Sequence, residues 1–112
     1  MKYDLEERTA KFGEATIRFA QGITRNDINK VLISQIVRSA TSIGANYMEA
    51  NQGSSKKDFK NKVNICKKEA NETKHWIRMI AMANADKKVD CRELWKEAHE
   101  LFLIFAKISQ SC

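Results

Sequence analysis

The chain has 112 residues, 43% of them hydrophobic and 30% charged, with a formal net charge of +6. That length suits one domain with one continuous core, and that balance of apolar and charged residues excludes a disordered tail. The longest low-charge stretch, Val31 to Met48, is interrupted by Ser34, Gln35, Arg38, Ser39, Thr41, Ser42 and Asn46, which argues against a membrane span.

There is no proline, so nothing removes a helical hydrogen bond or clashes with a preceding turn, and helices are free to run long. Met1-Lys2-Tyr3-Asp4-Leu5-Glu6-Glu7 lacks the apolar stretch and cleavage site of a signal peptide. Cys66, Cys91 and Cys112 show no metal spacing and leave an odd one out, so reduced thiols in a cytoplasmic protein are expected.

Apolar periodicity predicts four helices. In the first, Leu5, Phe12 and Phe19 recur every seven residues, with Ala15, Thr16 and Ile23 on the same side. Gly22 stops it, and Asn26 or Asp27 is expected to cap the second. The second runs from about Ile28 to Gln52 along an inward line of Leu32, Ile36, Ser39, Ile43, Asn46 and Ala50. Gly53 is expected to end it in the left-handed conformation. Ser55 with Asp58 reads as a capping box opening the third, whose inward line is Phe59, Val63, Cys66, Ala70, Thr73, Ile77 and Ile80. Steps of four and three along that line form the seam of a left-handed bundle. Asn84 to Val89 reads as a polar connection, with Asp90 and Glu93 opening a fourth helix lined by Leu94, Ala98, Leu101, Phe105 and Ile108. Short connections make neighbours antiparallel, which gives an all-α, antiparallel up-and-down four-helix bundle spanning 1–112 as a single domain.

The second helix is more apolar than one core requires. Val31, Ile33, Val37, Gly44, Tyr47 and Met48 lie off its main seam. Two readings fit: a central helix with one broad buried stripe, or a helix that offers a second face to another copy of the chain.

Charge is uneven. Residues 1–52 carry a net +1 and residues 53–112 a net +5. Most of the excess sits on the third helix, where Lys60, Asn64, Lys67, Asn71, Lys74 and Arg78 step along one side with Lys57, Lys68 and His75 beside them. Evenly spaced cations with interleaved amides suit a run of phosphates. The competing reading is a solvated face that only keeps the protein soluble. The aromatic residues read mainly as core or interface, not as base-stacking platforms.

Arg38, amid apolar neighbours, calls for a carboxylate partner, with Glu49, Glu69 and Glu72 as candidates for an inter-helix polar network. Glu72 with His75 matches the Glu-x-x-His step of di-iron bundles. The second copy is missing, because His99 has Lys96 where the carboxylate belongs. No metal site, no cofactor and no enzymatic activity are therefore expected.

The run Gln35-Ile36-Val37-Arg38-Ser39-Ala40-Thr41-Ser42-Ile43-Gly44-Ala45-Asn46-Tyr47-Met48-Glu49 resembles a known signature. So do Lys57-Asp58-Phe59, Glu69-Ala70, and Glu72-Thr73 followed by Trp76. Together, over about Leu32 to Ile80, they are similar to the small four-helix-bundle proteins encoded in intervening sequences of bacterial large-subunit ribosomal RNA genes. One departure is Ala50, where that family usually has glycine, and it favours continuation of the second helix to Gly53. The resemblance implies a bundle that assembles into rings, commonly of five subunits. It also implies likeness to the accessory protein of diversity-generating retroelements, a basic pentameric barrel that binds nucleic acid and a reverse transcriptase. The matching positions Arg38, Ser42, Asn46, Glu49, Asp58, Glu69 and Glu72 fit an inter-helix polar network better than an active site. Two functions remain open. One is a homo-oligomer that holds RNA or DNA backbone on the third helix through Lys57, Lys60, Asn64, Lys67, Lys68, Asn71, Lys74 and Arg78. The other is a protein–protein scaffold or accessory subunit with no direct nucleic-acid contact.

Overall fold

A computed structural model describes residues 4–53 and 55–112. The Met1–Tyr3 part of the N-terminal segment read above lies outside the described residues. Four helices follow one another: α1 (Leu5–Gln21), α2 (Asp27–Asn51), α3 (Lys56–Ala83) and α4 (Lys88–Ser111), with a 3-10 turn at Ala85–Lys87. Among the described residues there is no strand, and the fold is an all-α four-helix bundle. Its long axis is 44 Å, close to the length of 28 residues of α3 at about 1.5 Å each.

Local chemistry starts the helices where the sequence indicates. The Asn26 side chain accepts a hydrogen bond from the Asn29 N–H, and the Ser55 hydroxyl oxygen accepts one from the Asp58 N–H. Each satisfies a donor that the first helical turn leaves orphaned. Two terminal signals resolve differently. Gly53 does not adopt positive φ; α2 ends at Asn51 with backbone bonds from Gln52 and Gly53 to Glu49 and Ala50. An added Cβ there would lie 3.1 Å from the Ala50 carbonyl oxygen, a tight contact that favours glycine. At α4 no side chain caps the start, and Asp90 lies inside the first turn, so the expected Asp90–Glu93 capping box does not form. The 3-10 turn already feeds the chain into helical geometry, and an acidic residue in a first turn still complements the helix dipole.

The expected inward lines are the core. Val63, Cys66, Ala70, Thr73, Ile77 and Ile80 of α3 are buried, with Ile36, Ser39, Ile43 and Ala50 of α2 and Ala98, Leu101 and Phe105 of α4. Partners pair antiparallel: Ser39 meets Thr73, Cys66 reaches Ile43, and Asn64 meets Ser109. The α2–α3 pair is the most extensive and α1 closes least on α4. Gly44 permits close approach of α1, since a Cβ there would stand 3.2 Å from Thr9 Oγ1.

The surplus apolar residues of α2 divide between both readings. Ile33 is buried, and the Tyr47 ring lies 5.6 Å from that of Phe105, so these belong to the bundle. Val31 and Met48 remain 60% and 50% exposed, as does Ile28 at 66%, so α2 also offers apolar surface outward. No helix among the described residues is long and apolar enough to cross a membrane.

Candidate nucleic-acid interface

The two flanks of α3 have opposite electrostatic characters because its buried line fixes which residues turn which way. On the α2 flank the charges are paired. Arg38 bonds Glu72, lies 3.5 Å from Glu69, and also donates to Gln35 at 3.0 and 3.1 Å. Lys62 pairs with Glu49 at 2.6 Å. The Glu72 carboxyl is held below the usual carboxylate range, chiefly by the Arg38 guanidinium and further by the Trp76 indole N–H at 3.2 Å. Within α2, the Asn46 amide donates to Ser42.

The network differs from the sequence expectation in three respects, the first being that Ser42 and Asn46 bond each other within α2 and not across helices. Glu49 serves Lys62 and not Arg38. Arg38 is not buried: its side chain is 48% exposed, so breaking the pair strands no buried guanidinium. An ion pair with one partner this exposed contributes about 1 kcal/mol or less, far below a buried one. Apolar neighbours along α2 misled here because a long side chain extends to water past them.

On the α4 flank the charges are almost all cationic. Lys60, Asn71 and Arg78 are exposed, while Asn64, Lys67 and Lys74 are half-buried; Lys57 and Lys68 are exposed as well, but Lys68 lies toward Glu72 and helps hold its carboxyl down. Among the described residues no carboxylate lies within ion-pairing distance of Lys57, Lys60, Lys67, Lys68 or Arg78. Two members of the stripe are engaged with α4. Asn64 accepts from the Ser109 hydroxyl at 2.5 Å. The Lys74 ammonium stands 3.0 Å from His99 Nδ1, over the rings of Phe102 and Trp95 at 4.5 and 5.2 Å.

Sequence reading stopped at α3, but the cationic face continues onto α4. Lys88 and Arg92 line a groove with Arg78 and Trp95 at the α3 C-terminal end. The acidic residues of α4 turn the other way. Arg8 of α1 holds Glu97 with two bonds of 2.8 Å and Glu100 with one of 3.0 Å. These bonds raise the Arg8 pKa further, against some desolvation. Arg8–Glu97/Glu100 thus repeats the pattern of Arg38–Glu69/Glu72, an arginine gripping carboxylates three apart on a neighbouring helix. The Glu-x-x-Glu spacing was the only local sign of it.

His75 is exposed and packs edge-on against Trp76, while Glu72 is engaged by Arg38 and Trp76. Among the described residues no group of three or more His, Cys, Asp or Glu is placed to hold a metal ion. Cys66 and Cys91 are buried, and burial pushes the Cys66 thiol up to about 12, so neither is poised as a nucleophile.

Comparison with known proteins adds a lineage to this geometry. A family model described as 23S rRNA-intervening sequence protein matches residues 2–110. A crystal structure of a protein of unknown function from the S23 ribosomal protein family of Bacteroides thetaiotaomicron superposes with a TM-score of 0.85 at 30% identity. It covers 93% of this chain and 96% of its own. No curated protein matches.

Proposed function

The chain belongs to the 23S rRNA-intervening sequence protein family, and from that premise we propose that it binds the backbone of RNA or DNA through its α3–α4 face. The observation that carries the reading is segregation of charge. The carboxylates nearest α3 are engaged on its α2 flank, those of α4 reach toward α1, and the face between α3 and α4 presents unneutralised cations. A purely solubilising surface has no need of such sorting, since interspersed charges of both signs serve equally well. The activity is binding and not catalysis.

A salt series tests it. In gel shifts with single- and double-stranded RNA and DNA, the logarithm of affinity is expected to fall linearly with the logarithm of salt concentration. The slope per phosphate contact is roughly −0.9 on duplex DNA and roughly −0.7 on single strands. No shift with any of these at low salt overturns the reading.

The alternative, a protein scaffold, draws support from a different place. Between α1 and α2 runs a groove of about 760 Å³, floored by small residues including Gly13, Gly44 and Ala45 and rimmed by Glu6, Glu7 and Glu14. With Ile17 and Met48 of its lining exposed, this groove supports association with another protein surface. We assign it first to self-association, a homo-oligomer of five copies being the form that the family resemblance implies. Light scattering is expected to return a multiple of the 12.9 kDa chain mass; a monomer at micromolar concentration excludes the oligomer.

A further inference from the structure

Cationic residues alone give no preference between duplex and single strand, but the groove at the α3 C-terminal end has a second character. It holds about 360 Å³ and is lined by Arg78, Lys88 and Arg92 together with Met82 and Trp95. No carboxylate lines it among the described residues. Trp95 is 39% exposed and Met82 85% exposed, a high exposure for an indole and a thioether that have a bundle core beside them.

The indole is fixed in place. His99 stacks on it at 4.9 Å with 19° between the planes, and Phe102 continues the stack at 6.3 Å and 17°. Lys74 sits over the Trp95 and Phe102 rings and bonds His99. Three rings one helical turn apart, held by one ammonium, leave Trp95 little freedom to lose when something binds against it. Held aromatic area beside three cations matches the chemistry of a nucleotide in an unpaired strand, whose base presents a flat face while its phosphates carry the negative charge. A duplex keeps its bases stacked inside and offers such a groove only phosphates.

We infer that this groove is a base-stacking subsite, with Trp95 taking the face of an unpaired nucleobase and Arg78, Lys88 and Arg92 holding its flanking phosphates. The inference rests on the nucleic-acid reading above and sharpens it: the protein selects single-stranded over double-stranded nucleic acid. Met82 supplies an adaptable apolar contact to the base edge. Sequence preference is weak, because every base has a stacking face.

The test compares three ligands of equal length: a single-stranded 12-nucleotide oligomer, the same sequence as a duplex, and a strand with abasic sites throughout, each as RNA-like and DNA-like chemistries allow. The unaltered protein is expected to bind the single strand roughly 5- to 150-fold more tightly than the abasic strand, the range that one stacked base contributes. Trp95→Ala is expected to remove that advantage and leave duplex and abasic binding unchanged, whereas Trp95→Phe retains much of it. Binding of the single strand also quenches tryptophan fluorescence in the unaltered protein, but not in Trp95→Phe, where only Trp76 on the opposite flank remains. Because the abasic strand changes the ligand and not the protein, the comparison holds even if Trp95→Ala folds poorly. Equal, salt-sensitive binding of all three ligands overturns the stacking subsite while leaving the charge-based reading standing. Failure of all three to bind overturns both.

Discussion

Replacing Asn29 by leucine is expected to cost on the order of 3 kcal/mol of folding stability, the largest loss for a polar residue away from the basic face. Asn29 is 1% exposed, and its amide donates to the Thr24 carbonyl at 2.8 Å and to Asn84 at 2.9 Å, while accepting from Asn84 at 2.9 Å. This reciprocal pair joins the α1–α2 connection, the start of α2 and the end of α3. Leucine fills the volume but leaves the Asn84 side-chain oxygen and one of its N–H groups buried without the Asn29 partner, a loss of roughly 1–3 kcal/mol, whereas the exposed Thr24 carbonyl can turn to water. For a domain of this size the melting temperature is expected to fall by about 10–20 °C. Replacing both residues by leucine is expected to cost less than the two single losses together, because the second change removes the orphan left by the first. A single Asn29→Leu variant within about 0.5 kcal/mol of the unaltered protein shows that the pair contributes nothing net.

Reversal of Lys60, Lys67 and Arg78 to glutamate is expected to weaken nucleic-acid binding by roughly 100-fold at low salt, as three charge-assisted contacts of about 1 kcal/mol each combine. All sequences are expected to suffer alike, since these side chains read charge and not base edges. The salt dependence should flatten by roughly 0.7 per contact on single strands. These three are chosen because no carboxylate engages them and because the core line of α3 excludes them, so the fold survives. Lys74 is left out: its contacts to His99, Phe102 and Trp95 would make a reversal there a test of α3–α4 packing instead. Lys62, on the other flank and paired with Glu49, is the internal control, and Lys62→Glu is expected to leave the slope unchanged. If the triple reversal matches the unaltered protein in affinity and slope, the basic face is a solvated surface and the scaffold reading takes its place.

Much of this molecule is local, and what is local is legible in the amino-acid order. Helix spans, the Asn26 and Ser55 caps and the buried lines of α2, α3 and α4 depend on a 3.6-residue period and on side chains that reach three residues ahead. The stripe of cations on α3 follows from the same period. Other features depend on which helices are neighbours and how each is rotated about its axis, and no local pattern encodes that. Arg38 sits among apolar residues along the chain yet opens to water, because its position on α2 faces the edge of the α2–α3 groove. Glu49 finds Lys62 and Arg8 finds Glu97, partners 13 and 89 positions away. Asn84 reads as a loop residue but is buried against Asn29, 55 positions distant, because an amide with a partner can be enclosed where one without cannot. The continuation of the basic face onto Lys88 and Arg92, and the seating of Lys74 of α3 over the Trp95 and Phe102 rings of α4, were decided only when packing set those two helices side by side.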